Sequence, residues 1–293
     1  MFTLMKRITM KTKAIFGFLF FIVALTGCDK IEGPYGNGSG SSDTTTSGFF
    51  RKVLVEDFTG HKCGNCPDAA EALKQLESLY GDKIVAMGVH AGFFAEPNAG
   101  GLFTYDFRTT AGTELDQFFG NSNAGLPNGL INRKFYDSNP IVNYADWASK
   151  VNQIVNLPAD AWLTLAPDYN AASRELNVDV NTKILNTLND SLHLVIYLTE
   201  DSIVRPQADY SLPSPNQYIQ EYVHRHVFRG SMNGTWGTPL TVGNSFSAGQ
   251  EFNTQLSSTL STDWDADEMH LVAVLYNALT KEVIQAEEIH IIE

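Results

Sequence analysis

The chain has 293 residues, of which 43% are hydrophobic and 18% are charged. This is too long for one small domain and too apolar for a disordered chain, so we expect two globular domains. The formal net charge is −13, which disfavours nucleic acid and anionic lipid as partners because both are polyanions. Three cysteines are too few for a disulfide-rich scaffold, so each needs its own explanation.

The first 27 residues have the pattern of a secretory signal. Four basic residues lie within the first 13 positions, and an uncharged apolar run follows over residues 14–26. The run fits the hydrophobic core of a signal peptide and is short for a membrane-spanning helix. It ends in Leu25-Thr-Gly-Cys28, which resembles the bacterial lipobox. The resemblance implies cleavage after residue 27 and a lipid anchor on Cys28. An ordinary signal peptide or a short membrane anchor is the alternative.

A polar segment separates the signal from the folded part. Residues 29–48 are rich in Gly, Ser and Thr and contain almost no apolar side chains. Such a composition favours a flexible coil, so we assign residues 28–49 to the lipidated cysteine and a tether. Asp29 resembles an inner-membrane retention signal of enterobacteria, and acidic residues near the cysteine also resemble a surface-export signal of Bacteroidetes. The sequence leaves open which membrane face the protein occupies.

The folded part begins with a pattern suited to thiol chemistry. Two strand-like runs, residues 52–58 and 83–90, flank Cys63-Gly-Asn-Cys66-Pro and an apolar stripe at helical spacing. A thiol at a helix N-terminus lies near unpaired N–H groups and the positive end of the helix dipole, which stabilise its thiolate. The pattern predicts Cys63 as the attacking thiol. Cys66, one turn further along, is expected to be more buried and to resolve the mixed disulfide.

Residues 50–157 resemble the thioredoxin superfamily. Besides the cysteine pair, Asp57 occupies the position of a buried acid, and Gly125-Leu126-Pro127 matches the loop that carries a cis-proline. The resemblance implies an α/β thioredoxin-like domain over residues 50–157. It also implies that Asp57 helps to deprotonate the resolving thiol, and that the loop of Leu126 and Pro127 presents a backbone edge to the substrate.

Two departures from that pattern affect the expected chemistry. Residues 91–124 form an insertion, with a short helix expected near residues 112–119, that either shapes a partner groove or extends the core. His61 and Lys62 replace the usual neighbours of the first cysteine and bring positive charge close to Cys63. Positive charge lowers a thiol pKa and stabilises the dithiol, so we predict a more oxidising couple than in thioredoxin.

Cys63 and Cys66 could also serve as metal ligands or as a structural link. A zinc site needs four ligands, and neither a second cysteine pair nor histidines at ligand spacing are present, so no metal and no cofactor are expected. A purely structural disulfide is the stronger alternative, because so small a ring closes readily in an oxidising exterior. The sequence leaves both active thiol chemistry and the inert disulfide open.

The chain changes character after residue 157. Seven strand-like runs separated by turn signals follow, with no helical stripe, which favours an all-β immunoglobulin-like or fibronectin-like sandwich over residues 158–293. His224 and His226 fall on one face of the run at residues 222–228. A metal there would need a third ligand, so ordinary surface or cross-strand histidines are the expectation.

The whole arrangement resembles a family of Bacteroidetes outer-membrane lipoproteins. The matching stretches are residues 56–60, the cysteine pair with Pro67, residues 106–108, the His-x-His-Val-Phe-Arg run and residues 283–286. The resemblance implies a cell-envelope protein regarded as a surface adhesin or receptor, with no settled enzymatic role. Two functions follow: a thiol-disulfide oxidoreductase tethered to the membrane through Cys28, or a binding module with a structural disulfide. The expected partners are protein substrates or surface partners, and the oligomeric state is left open.

Overall fold

A computed structural model of the protein describes residues 48–292. The predicted signal peptide, Cys28 and the tether as far as residue 47 lie outside this range. Within it, no helix is long and apolar enough to cross a membrane.

The first part of the described chain alternates strands and helices. Strands β1 and β2 are buried at nearly every position, because neighbouring layers cover both faces of the sheet. Helix α1 has Pro67 in its first turn, where a missing N–H costs nothing, and ends at Gly81 with φ of 57°. The apolar stripe predicted for this helix includes Leu79, but Leu79 is 70% exposed, so the buried face of the helix is narrower than expected. The elements are β1 (Val53–Thr59), α1 (Cys66–Tyr80), β2 (Ile84–His90), α2 (Thr110–Phe119), α3 (Asn121–Ala124), β3 (Asn128–Ile131), β4 (Ile141–Asn143) and α4 (Trp147–Ile154).

These four strands lie side by side in the order β2-β1-β3-β4. Strands β1 and β2 are parallel, β3 is antiparallel to β1, and β4 is antiparallel to β3. Helices α1 and α4 contribute buried residues to the same cluster as β1 and β2, including Leu73 and Val151. The cysteine pair therefore follows directly from the end of a central strand.

The second part of the described chain is built almost entirely of strands. The expected runs form strands that extend up to several residues beyond the predicted limits, and β8 and β11 are additional. The strands are β5 (Ala161–Asn170), β6 (Glu175–Ile184), β7 (Leu192–Glu200), β8 (Ile203–Ala208), β9 (Tyr218–His224), β10 (Val227–Ser231), β11 (Thr238–Pro239), β12 (Glu251–Thr259), β13 (Met269–Asn277) and β14 (Val283–His290).

The two parts share one sheet. Its order is β14-β13-β7-β10-β2-β1-β3-β4, with β11 paired to β7. Strand β10 lies parallel to β2, with Val227 opposite Gly88, and antiparallel to β7. It thereby covers the edge that β2 would otherwise leave unpaired. Residues on both sides of position 157 belong to one compact unit, so the predicted boundary does not coincide with a break in the sheet.

A second, three-stranded sheet has the order β12-β6-β5. Along β6 buried and exposed residues alternate, and the buried ones include Leu176, Val178 and Val180. They belong to the same hydrophobic cluster as Ile196 of β7 and Leu271 of β13. This alternation is the pattern of a sheet with one face on the core and one in solvent. The cluster is the larger core of the second part of the chain.

The predicted strand at residues 222–228 is broken in two. His226 has φ of 52°, and its backbone N–H donates to a carboxylate oxygen of Asp201. Strand β9 pairs with β8, whereas β10 enters the main sheet. The expectation that His224 and His226 share one face of a strand is therefore wrong. His224 is 4% exposed, and His226 lies within 3.0 Å of Glu77 on helix α1.

Candidate functional site

The cysteine pair lies in the turn that joins β1 to α1. The N–H of Cys63 donates to the carbonyl oxygen of Gly60, and the N–H of Cys66 to that of Cys63. Cys63 and Cys66 form a disulfide with 5.4 Å between their Cα atoms. Helix α1 begins at Cys66, so Cys66 occupies the first helical turn and Cys63 precedes it. The cysteine pair thus lies at the start of the helix, with Cys63 three residues before the first helical residue.

Both sulfur-bearing residues are buried. Cys63 and Cys66 are each 2% exposed, so they do not differ in burial as the sequence predicted. Residues at the end of β8 and just after it, in the second part of the chain, pack against the cysteine turn. The side-chain amide of Gln207 donates to the carbonyl oxygen of Cys63 over 2.9 Å, and the ring of Tyr210 lies directly over Gly64.

Asp57, on β1, is a buried acid beside this turn. It is 5% exposed, and its Oδ1 has no hydrogen-bond partner among the described residues. Burial raises the pKa of Asp57 to about 7, although the charge of His226 acts in the opposite direction. A carboxyl group with this pKa can hold or release a proton near neutral pH.

A small pocket of about 40 Å³ is lined by both Asp57 and Cys66. It is large enough for a water molecule. Polar and titratable groups make up much of its wall; those that matter here are Asp57, Cys66, His90, Gln207, Tyr222 and His224.

Two of these groups are buried histidines that sequence reasoning did not assign to the site. The rings of His90 and His224 are 5.6 Å apart and lie against Phe107, at 4.3 and 4.6 Å. Burial lowers the pKa of His224 to about 3 and that of His90 well below its usual value, so both rings are neutral at pH 7. Both ring nitrogens of His90 and Nε2 of His224 lack hydrogen-bond partners among the described residues. Neutral rings of this kind can form hydrogen bonds with water.

A surface cleft of about 410 Å³ reaches Asp57 from the outside. It runs between helix α1 and the end of β9, and its walls include Ala70, Lys74, Tyr222 and His226. Ala70 and Tyr222 also line the small pocket beside Cys66. Asp57 thus lies between solvent on one side and Cys66 on the other, on a route that does not pass Cys63.

The arrangement around His61 changes one electrostatic expectation. His61 is 1% exposed and stacks on Phe103, and burial lowers its pKa. It is therefore neutral at pH 7 and does not supply the positive charge predicted near Cys63. The side-chain nitrogen of Lys62 lies 4.7 Å from the centre of the Phe93 ring. The prediction of a more oxidising couple now depends on Lys62 alone.

The loop before β3 has the backbone geometry that the resemblance implies. The Leu126–Pro127 peptide bond is cis, and Pro127 is buried. Leu126 packs towards the cluster of Phe58 and Leu130. The side-chain amide of Asn128 donates to the carbonyl oxygen of Gly125 over 2.8 Å, which holds the loop in place.

Several residues of the site come from distant parts of the sequence. His90 ends β2, and its place directly after a buried strand is the one signal by which sequence reasoning could have found it. Gln207, Tyr210 and His224 come from the second part of the chain, with 144 positions between Cys63 and Gln207. Nothing in their local pattern points to a thiol. Among the described residues, no group of three or more metal-binding side chains could hold a metal ion.

Fold and site together define an α/β protein in which residues from the second part of the chain pack against a Cys-x-x-Cys disulfide turn. The family model for outer membrane protein Omp28 matches residues 114–293, more than half of the chain, and the chain belongs to that family. The protein is accordingly located in the cell envelope, at the outer membrane. None of the curated protein sequences compared with the chain matches it.

Several solved structures are similar to this chain. One is HBP35 of Porphyromonas gingivalis, at 15% identity, with a TM-score of 0.56 and coverage of 83% of this chain and 76% of that one. Another is a domain of the outer membrane lipoprotein Omp28 from Porphyromonas gingivalis, at 21% identity and a TM-score of 0.30, which covers 45% of this chain and 88% of that one. The first shows a likeness of fold.

Proposed function

We propose that this outer-membrane protein exchanges disulfides with other proteins through Cys63 and Cys66. The observation that carries the proposal is that the buried residue Asp57 lines the same small pocket as Cys66. Burying an acid without a full set of hydrogen bonds is costly, and a purely structural disulfide has no use for it. Groups with strongly perturbed pKa values beside a reactive bond are typical of catalytic sites.

The proposed reaction oxidises a partner dithiol and reduces the disulfide of this chain. A partner thiolate attacks Sγ of Cys63, the Cys63–Cys66 bond breaks, and Cys66 leaves as a thiolate that takes a proton from Asp57. The second partner thiol, once deprotonated, attacks the partner sulfur of the mixed disulfide. Cys63 then leaves as a thiolate, and the partner carries the new disulfide. The reverse sequence reduces a partner disulfide, with Asp57 accepting the proton of Cys66.

We also propose that residues 50–157 have a thioredoxin-like fold. The support is the strand order β2-β1-β3-β4, with only β3 antiparallel to β1, together with a cysteine pair after β1 and a cis-proline before β3. In this proposal β10, from the later part of the chain, extends the same sheet next to β2. The lipid anchor on Cys28 completes the proposal by keeping the protein at the membrane.

One observation favours the second candidate, a surface adhesin, receptor or other binding module with an inert disulfide. Both cysteines are 2% exposed, and the ring of Tyr210 lies over Gly64 between them, so neither cysteine is open to an incoming thiolate in this conformation. Exchange requires access of the nucleophile to the sulfur it attacks. The thiol proposal therefore includes a movement that uncovers Cys63.

Trapping separates the two candidates. The full mature chain with Cys66→Ala is expected to retain envelope proteins as mixed disulfides on Cys63, because the resolving thiol is absent. The matched control is Cys63→Ala, which leaves only the buried thiol of Cys66 and is expected to trap nothing. Insulin reduction by the wild-type chain is the second readout. If the Cys66→Ala chain captures no partner and the wild-type chain does not reduce insulin, the exchange activity is rejected and the binding module is supported.

A further inference from the structure

Residues 207–217, which link β8 to β9 and are here called the strap, lie across the cysteine turn. The N–H of Ala208 donates to the carbonyl oxygen of His61, and the N–H of Tyr210 donates to that of Gly64, both over 2.8 Å. The two donors are two residues apart, which is the spacing of one edge of an extended strand. The strap thus contacts the turn as an added strand contacts the edge of a sheet.

The ring of Tyr210 occupies the space above Gly64. A Cβ atom at position 64 would lie 2.3 Å from the ring, so no residue except glycine fits while the strap is in place. Gly64 directly follows Cys63 in the sequence. Because it has no side chain, an aromatic ring can pack against its backbone beside the disulfide.

The strap is buried as far as Asp209, and most of the residues after it are exposed. Tyr210 is 56% exposed, and residues 213–216 are exposed. Its internal hydrogen bonds are local: Ser211 donates to Asp209, whose own N–H donates to the carbonyl oxygen of Gln217. Few buried contacts and exposed backbone are the properties of segments that open at low free-energy cost.

We propose that the strap occupies, within the same chain, the surface on which an extended polypeptide substrate lies during disulfide exchange. The inference rests on the proposed function and names its substrate class: an unfolded or loop segment of a protein, with an aromatic side chain near its cysteine. Such a segment replaces the two backbone hydrogen bonds to His61 and Gly64 and places its ring on Gly64. Cys63 is uncovered in the same movement.

Reduction of the disulfide by dithiothreitol tests the first part. Tyr210→Ala removes the cover and is expected to accelerate reduction at least about tenfold. Phe135→Ala is the matched control, because Phe135 is an aromatic residue of similar exposure, 52%, outside the strap. Gly64→Ala displaces the ring from the opposite side and is expected to accelerate reduction as well, which protects the test against a misfolded Tyr210 variant. Wild-type rates in both variants would overturn the proposal.

A peptide supplied in trans tests the second part. The probe is a synthetic peptide with the sequence of residues 207–213, and its analogue has glycine in place of the tyrosine. The peptide is expected to slow the reduction of the Tyr210→Ala chain at least about threefold at saturation, while the analogue has no effect. Equal rates with and without the peptide would overturn the assignment of the surface.

The outcomes also distinguish this inference from the proposed function. If the peptide slows reduction but the Cys66→Ala chain captures no partner, the surface binds peptides over an inert disulfide. The proposed exchange activity would then be rejected. If the Cys66→Ala chain captures partners but Tyr210→Ala and Gly64→Ala are reduced at the wild-type rate, the exchange activity is supported. The proposed role of the strap would then be rejected.

Discussion

The carboxylate of Glu56 and the guanidinium of Arg133 form a bidentate pair with both side chains at 0% exposure. The two hydrogen bonds measure 2.8 and 2.7 Å, and Arg133 also donates to the hydroxyl of Tyr197 over 3.1 Å. Glu56 is on β1 and Tyr197 on β7, so the guanidinium joins the two parts of the chain. The ring centres of Tyr197 and Tyr276 lie 5.9 and 5.7 Å from its central carbon.

Removing one member of this pair is expected to destabilise the protein severely. Glu56→Gln leaves the guanidinium of Arg133 buried without its counter-charge, which costs about 3–5 kcal/mol of unfolding free energy. Urea unfolding measures the loss. The control is Lys74→Ala, which breaks an exposed pair with Glu71 at 3.7 Å and is expected to cost less than about 1 kcal/mol. Similar losses in the two variants would contradict the prediction.

The shared sheet predicts that residues 48–157 do not fold alone. Without the later chain, β2 loses β10, and Arg133 loses Tyr197 and the aromatic rings around it. The buried charge and the open strand edge both disfavour the folded state. A chain truncated after residue 157 is therefore expected to give an undispersed amide NMR spectrum. A dispersed spectrum would show that the earlier part is an independent domain.

Titration of Asp57 makes stability depend on pH. Because its pKa is raised from 3.8 to about 7, the folded protein keeps a proton that the unfolded chain has already lost. Wild-type stability therefore falls as pH rises from about 4 to 7. Asp57→Asn has no such proton, so its free energy of unfolding relative to wild type is expected to increase across this window, by at most about 4 kcal/mol. Urea unfolding of the two oxidised proteins at several pH values measures the difference. Parallel curves would show that Asp57 is not the titrating group.

His226 is expected to act in a higher pH range. Burial lowers its pKa, but the hydrogen bond to Glu77 at 3.0 Å and the charge of Asp201 outweigh burial and raise the pKa to about 9. The stabilisation is complete below pH 6.5 and is lost as pH rises through 9, because the folded state binds the extra proton. His226→Gln is expected to cost about 1–3 kcal/mol at about pH 6. The difference from wild type should shrink above about pH 8; a constant difference would contradict the assignment.

The predicted lipid anchor has a direct test. Cys28→Ala removes the only acceptor in the lipobox-like sequence, so the chain is expected to leave the membrane fraction. Cell fractionation measures this, and Cys63→Ala serves as the control because it removes a cysteine outside that sequence. Retention of the Cys28→Ala chain in the membrane fraction would favour the alternative of a short membrane anchor.

The limits of sequence-based prediction appear at particular residues. The spacing of apolar residues was sufficient to predict β1, α1 and β2 in order, because each depends on its own side chains and on local turn signals. The same reasoning merged β9 and β10 into one strand, because residues 222–228 are apolar enough for one. The break at His226 is imposed by Asp201 and Glu77, which lie elsewhere in the chain.

Local sequence was enough to establish the order of strands and helix around Cys63 and Cys66 and the closeness of these two cysteines within one turn. Those features depend on neighbours a few positions away. Long-range packing determines the rest: the ring of Tyr210 lies over Gly64 between the two cysteines, His61 is neutral, and Asp57 titrates near pH 7. The physical reason is desolvation, because the charge state and accessibility of a group depend on what packs around it. Here much of that packing comes from strands of the second part of the chain, which lie far from the cysteines in sequence.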